Sequence, residues 1–235
     1  MQNLTRFFVL IFAAYGLLLT ACAKSPDQAE KPAFKVEQES PEAAAAAARQ
    51  AEAKTASNGE PGKKFKIFRV YTDANSPDNH YAPSGWMGDW GDIKINPAHM
   101  DNPHAGTTSF KVTYTAQKTQ GANWAGIYWQ NPPNNWGGAK GGFDITGAAK
   151  LTFWVRGETG GEKIEEFRVG GISGDNPDSD VASIGPLVLT QEWKMYEIDL
   201  SGKDLTSISG GFMWSANTEG NPQGFTIYFD DIRYE

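Results

Sequence analysis

In Ser109-Phe-Lys-Val-Thr-Tyr-Thr115, the apolar Phe110, Val112 and Tyr114 alternate with Lys111 and Thr113. That period of two is the signature of a strand with one face in a core and the other outside. Leu151, Phe153 and Val155 alternate with Thr152, Trp154 and Arg156 in the same way. Outward from these two, short runs rich in Val, Ile, Thr and aromatic residues recur at 65–72, 124–130, 164–170, 186–190, 193–200, 208–214 and 224–234, punctuated by Gly, Pro, Asn and Asp. No window of about twelve residues after residue 63 keeps a helical period. About nine strands with this punctuation predict an all-β domain over 63–235, a two-sheet antiparallel β-sandwich of jelly-roll type. The stretch Asp73 to Gly106, rich in Asn, Pro, Gly and Trp, is expected to be a long surface loop, and loops of that length usually carry function.

Composition narrows the function classes. The chain has 235 residues, 40% of them hydrophobic and 12% aromatic, which fits one packed domain with attachments. A single cysteine closes no internal disulfide, and His80, His99 and His104 lack metal-ligand spacing. A net charge of -7 with no basic run repels a phosphate backbone, so nucleic acid is not an expected partner.

The amino terminus reads as an address. Arg6 precedes the apolar run Phe7 to Leu19, the length of a signal-peptide core and shorter than the roughly 20 residues of a membrane span. The run ends in Leu19-Thr-Ala-Cys22, which resembles the lipobox of bacterial lipoproteins. The resemblance implies a signal peptide at 1–21 and a lipid on Cys22 that holds the protein on a membrane of the bacterial cell envelope. Ala23, which is not Asp, favours the outer membrane in a Gram-negative cell. Residues 22–62 are Ala-, Glu- and Pro-rich and too polar to bury a core, so they are expected to form a disordered or partly helical tether.

Four further stretches carry a second resemblance: Ala125-Gly-Ile-Tyr-Trp-Gln, Leu151-Thr-Phe-Trp-Val-Arg-Gly-Glu, Trp193-Lys-Met-Tyr-Glu-Ile-Asp-Leu-Ser and the closing Phe225-Thr-Ile-Tyr-Phe-Asp-Asp-Ile-Arg-Tyr-Glu. Together they resemble a non-catalytic carbohydrate-binding module of the galactose-binding-like jelly-roll type over 63–235. The resemblance implies two opposed sheets, a poly- or oligosaccharide as partner, and a structural calcium near the chain ends. Pro83-Ser-Gly-Trp-Met-Gly-Asp-Trp-Gly-Asp92 falls outside the pattern of such modules.

Alternation supplies candidate binding residues of its own. With Ile127, Phe153, Phe167 and Ile227 inside, the outer faces carry Trp124, Tyr128, Gln130, Trp154, Arg156, Glu166, Arg168 and Tyr228. Aromatic rings suit the apolar C–H patch of a sugar, and planar polar groups suit its hydroxyls. If instead the 73–106 loop covers this face, Trp86, Trp90 and Trp154 form a secondary core and a buried Arg156 takes Asp89 or Asp92 as its partner. For calcium, Asp73, Asp230 and Asp231 come together if the terminal strands are neighbours. The acidic loop Asp175 to Asp180 lacks the spacing of a calcium-binding loop.

No reacting constellation stands out. Glu162, Glu165, Glu166 and Asp180 could supply a carboxylate pair, but no motif singles them out, and Ser173 in Gly171-Ile-Ser-Gly lacks the G-x-S-x-G spacing. The expectation is therefore a membrane-anchored sugar-binding protein that does not cleave its ligand. The alternatives are a protein-docking sandwich and a small glycan hydrolase or lyase.

Overall fold

The computed structural model describes residues 65–235; the readings of the signal peptide, Cys22 and the tether lie outside them. The alternating runs become strands β1 (Phe68–Tyr71), β4 (Ser109–Tyr114), β5 (Trp124–Gln130), β6 (Lys150–Gly157), β11 (Lys194–Asp199), β12 (Gly210–Asn217) and β13 (Phe225–Tyr234). The run at 164–170 divides into β7 (Lys163–Ile164) and β8 (Glu166–Gly170), and Leu187–Val188 forms the short β10, which pairs with β7.

Three strands lie where no strand was expected. The segment 73–106 is not one long loop: it supplies β2 (Ala82–Gly88) and β3 (Ile93–His99), joined by a single 3-10 turn at Trp90–Asp92, and β9 (Val181–Ile184) follows the acidic loop. The reason is position. β2, β3 and β9 are edge strands with one hydrogen-bonded neighbour each. Two of their sequences, Ala-Pro-Ser-Gly-Trp-Met-Gly and Ile-Lys-Ile-Asn-Pro-Ala-His, carry the Pro or Gly that an edge tolerates and a central strand does not, and β9, Val-Ala-Ser-Ile, is only four residues long.

Apart from the β7–β10 pair, the strands form two antiparallel sheets. The six-stranded sheet runs β11-β6-β13-β4-β3, with β1 also paired to β13, and the five-stranded sheet runs β2-β5-β12-β8-β9. Their inner faces meet in one core. Phe153 and Phe229 of the first sheet interleave with Trp129, Phe167 and Phe212 of the second, with ring centroids 4.7 Å apart for Phe153–Phe167 and 5.0 Å for Phe153–Phe212. Each such buried ring contributes about 1.5–3 kcal/mol relative to exposure. The sandwich expected from alternation is the architecture observed.

Candidate functional site

The eight candidate sugar-binding residues do not share one face. Trp154, Arg156 and Tyr228 lie outside the six-stranded sheet, because β6 and β13 pair there; Trp124, Tyr128, Gln130, Glu166 and Arg168 lie outside the five-stranded sheet, on β5 and β8. Alternation fixes which side of its own strand a residue takes, and it says nothing of which sheet the strand joins.

On the six-stranded sheet the outer rings are covered. The loop between β3 and β4 folds back over Trp154, and His104 stacks on that indole with centroids 3.7 Å apart and planes 17° apart. Trp193 Nε1 donates to the Asn102 carbonyl at 3.0 Å, closing the same loop. Arg156, paired across the ladder with Tyr228, lays its guanidinium 3.9 Å from that ring and 5.4 Å from Trp193, and its nearest carboxylate is Glu158 at 4.0 Å. The Tyr228 hydroxyl donates to Glu158 at 2.5 Å; burial first, and then that carboxylate, push the phenol up to about 12. Covering of Trp154 is as the loop alternative expects, but its details differ. Trp86 and Trp90 stay 37% and 45% exposed rather than joining Trp154, and Asp89 and Asp92 face backbone N–H groups rather than Arg156.

The three carboxylates expected to hold calcium are taken up differently. Asp73 Oδ1 accepts from the backbone N–H and the hydroxyl of both Thr107 and Thr108; burial works against its ionisation, and these bonds outweigh it, so its carboxyl is held below the usual range. Asp230 Oδ2 accepts from the His104 and Ala105 N–H groups at 2.9 and 3.1 Å. Its carboxyl is nonetheless raised to about 7, chiefly by burial and also by the charge of Asp231. Asp231 sits in a bulge of β13 at φ 46°, with His104 Nδ1 3.7 Å and Arg233 4.0 Å from its carboxylate. Backbone N–H groups thus occupy Asp73 Oδ1 and Asp230, and Asp231 lies beside His104 and Arg233, so each of the three carboxylates is engaged by the protein itself. Among the described residues no three His, Cys, Asp or Glu side chains gather as a metal site.

The outer face of the five-stranded sheet has two halves. Toward the Gln130 end it is roofed by the loops 131–141 and 171–178, which join where Asn176 N–H donates to the Gly137 carbonyl. Under this roof Tyr128, Met213 and Ile172 form a small second core, the Tyr128 hydroxyl donates to the Gly170 carbonyl at 3.0 Å, and Gln130 bridges Ser84 and the Asn135 carbonyl. Tyr128 and Gln130 are thus buried at the positions where alternation expected exposure. Asp178 anchors the roof by accepting the N–H groups of Ile172, Ser209 and Gly210, and its carboxyl is raised by burial.

Toward the Trp124 end the face is open. Gly126 and Ser215 are register partners and make a low floor; a Cβ on Gly126 would stand 2.5 Å from the Trp214 carbonyl oxygen. Beside this floor lies a depression of about 380 Å³ lined by Trp124, Asn217, Thr218 and Glu165, among others. A second, of about 270 Å³, shares Glu165 and Ser215 and adds Glu166 and Ser183. The two make a groove across β12 and β8 with the 39% exposed Trp124 at one end. Alongside, Arg168 and Glu166 form a bidentate pair, Nε to Oε1 at 3.0 Å and Nη2 to Oε2 at 2.6 Å, which holds a planar polar edge in place.

Two solved structures similar in shape point the same way as the topology. A family 30 carbohydrate-binding module matches with a TM-score of 0.50 and 16% identity, over 73% of this chain and 88% of the other. The family 30 module of a cellulosomal cellulase of Clostridium thermocellum matches with a TM-score of 0.50 and 15% identity, over 72% of this chain and 97% of the other. The fold is that of a carbohydrate-binding module. No protein-family model matches the sequence, and neither does any curated protein.

Of the four carboxylates weighed for catalysis, Glu165 and Glu166 line the groove, and three of the four are held by neighbours. Glu162 accepts from Thr159 at the end of β6, Glu166 is held by Arg168, and Asp180 pairs with Lys203 at 3.1 Å. Residues missed by sequence reading are Asn217, Ser215 and Ser183, which line the groove together with Glu165, weighed there only as a catalytic carboxylate. Ser215 and Asn217 follow Met213 at the period of two, and extending the 208–214 strand to Asn217 would have found them.

Proposed function

We propose that the domain binds a poly- or oligosaccharide chain, without cleaving it, in the open groove of the five-stranded sheet. The observation that carries this reading is the groove itself: an exposed indole at one end and a polar floor and wall of Ser215, Asn217, Glu165 and the Glu166–Arg168 pair. A sugar ring stacks its C–H face on such an indole and exchanges hydroxyl hydrogen bonds with planar carboxylate and guanidinium edges. A protein-docking surface would instead be a flat and continuous apolar patch, and this groove sets Trp124 beside Ser215, Asn217 and Glu165. Neighbours of the same fold are sugar-binding modules, one of them carried by a cellulase, which makes soluble β-glucans the first ligands to try.

A lipid on Cys22, with 23–62 as tether, would display the domain on the membrane surface. Single sites of this kind bind at micromolar to millimolar strength, and many copies on one membrane engage one polymer together. A screen of soluble polysaccharides by calorimetry tests the sugar reading, and absence of any binding at millimolar saccharide would overturn it. For the anchor, Cys22→Ser should release the protein from membranes, while a wild-type mature form beginning beyond Cys22 would refute the lipid.

A further inference from the structure

The groove of the five-stranded sheet runs across the strands rather than along them. Its lining residues come from β9 (Ser183), β8 (Glu166), β12 (Ser215 and Asn217) and β5 (Trp124), which are successive neighbours in the sheet. Three strand spacings separate β9 from β5, which amounts to roughly 14 Å. On this line the next strand is β2, whose last residue, Gly88, is paired with Ala125 and whose continuation is the 3-10 turn Trp90–Asp92.

That turn carries a second exposed indole, Trp90, at 45% exposure, and holds it outward. Asp89 and Asp92 stand at i and i+3, the spacing that brings side chains to one side of such a turn, and both are buried. The loop 115–123 fixes them: Gln120 and Ala122 N–H donate to Asp89 Oδ1 at 2.8 and 2.9 Å, and Lys118 N–H donates to Asp92 Oδ2 at 2.7 Å. Trp90, between the two, is left on the solvent side. The turn is also fixed to the strand that bears the first indole, because Asp89 N–H donates to the Trp124 carbonyl at 2.7 Å. Gly88 makes this close join possible: at its φ of 61° a Cβ would stand 2.2 Å from the Trp124 carbonyl oxygen and 3.0 Å from the indole Cδ2. A backbone tied down in this way has little freedom left to lose when a ligand lands on the ring. Trp86, also exposed, is a different case, since it is in register with the core residue Ile127 and so lies on the inner side of the sheet, at its edge.

We propose that Trp90 is a second stacking platform, one strand beyond Trp124, and that the site takes an extended, linear oligosaccharide laid across the strands from Ser183 to Trp90. This rests on the sugar reading of the groove and adds the shape and direction of the ligand. Four strand spacings from β9 to β2 give a span of roughly 19 Å, which a run of several sugar rings fills and a disaccharide does not. The segment that bears Trp90 falls outside the pattern of the modules that the chain resembles, so the second platform is a feature of this chain.

A length series of cello-oligosaccharides, two to six units, titrated into the full-length protein by calorimetry tests the proposal. Wild-type affinity should rise along the series. Trp90→Ala should keep the wild-type melting temperature and the wild-type affinity for the shortest oligomers, and bind the hexasaccharide about fivefold more weakly. Trp90→Phe, which keeps a ring, should recover most of that loss. Trp124→Ala should weaken binding at every length, and Trp86→Ala at none. Equal affinity of wild type and Trp90→Ala for the hexasaccharide, or a loss of the same size at every length, would overturn the second platform and leave the groove as the binding site. A wild type that binds none of the oligomers at millimolar concentration would overturn the groove and the platform together.

Discussion

The outer faces of the two sheets carry similar aromatic and charged side chains and put them to opposite use. On the six-stranded sheet, Trp154 lies under His104, and Arg156 is packed on Tyr228 beside Trp193. On the five-stranded sheet, Trp124 projects beside a groove lined by Ser215, Asn217 and Glu165. The difference lies in what crosses above each face. The 100–108 loop is tied across the first by Asp73 and Asp230, while the loops over the second stop at Tyr128 and leave the Trp124 half bare. An aromatic residue on an outer strand position is therefore structural or ligand-facing according to a loop far away in sequence.

The comparison can be broken first through pH. The Asp230 carboxyl is raised above its unfolded value to about 7, so its stabilising contribution is complete below the unfolded pKa of about 4 and is lost as pH rises through 7. Urea unfolding at pH 5, 6 and 7 should show a loss of about 2 kcal/mol from this group across that range, and Asp230→Asn should flatten the slope. An unchanged slope in the variant would remove Asp230 as the cause. Saccharide binding on the opposite sheet should not follow this profile.

Next in size is Trp154→Ala. Removing the ring on which His104 stacks should destabilise the domain by about 2 kcal/mol, below the fully buried tryptophan range, while saccharide affinity at the groove stays the same. Trp124→Ala should do the reverse: affinity falls about tenfold, or about 1.4 kcal/mol, with stability within about 0.5 kcal/mol of wild type. If both variants unfold the domain or both lose binding, the division between covered and open faces fails. The smallest effect is expected from Arg168→Lys, which gives up the bidentate bond to Glu166 and should weaken binding about threefold, or roughly 0.6 kcal/mol, by calorimetry.

The central strands were legible in the sequence because a residue pattern of period two needs no information from elsewhere. Phe110, Val112 and Tyr114 are inside, as are Leu151, Phe153 and Val155, and the boundaries of β5 fall at the expected residues. The edge strands β2 and β3 were not legible, whereas the edge strand β11 was: Pro83, Gly85 and Pro97 carry turn signals, and only pairing with β5 and β4 makes strands of them. The site was half legible. Trp124, Glu166 and Arg168 were found by alternation, but their separation from Trp154, Arg156 and Tyr228 depends on sheet assignment, which is a property of long-range pairing. Asp230 was singled out by its place near the chain end, and its acceptance of loop N–H groups depends on residues 104 and 105, over a hundred positions away.

The position of β13 has a consequence for how the chain acquires its structure in time. This strand is the last in sequence and lies between β6 and β4, with β1 paired to its end, where Phe68 faces Tyr234. Until residues 225–234 have left the ribosome, β6 has only β11 beside it and β4 only β3, so the future sheet exists as two halves with bare edges. Closure waits for a strand whose partners are remote in sequence, the kind of step that is slow and exposes the chain to mispairing. Closure of this sheet therefore waits for residues 225–234, whatever the order in which the earlier strands pair.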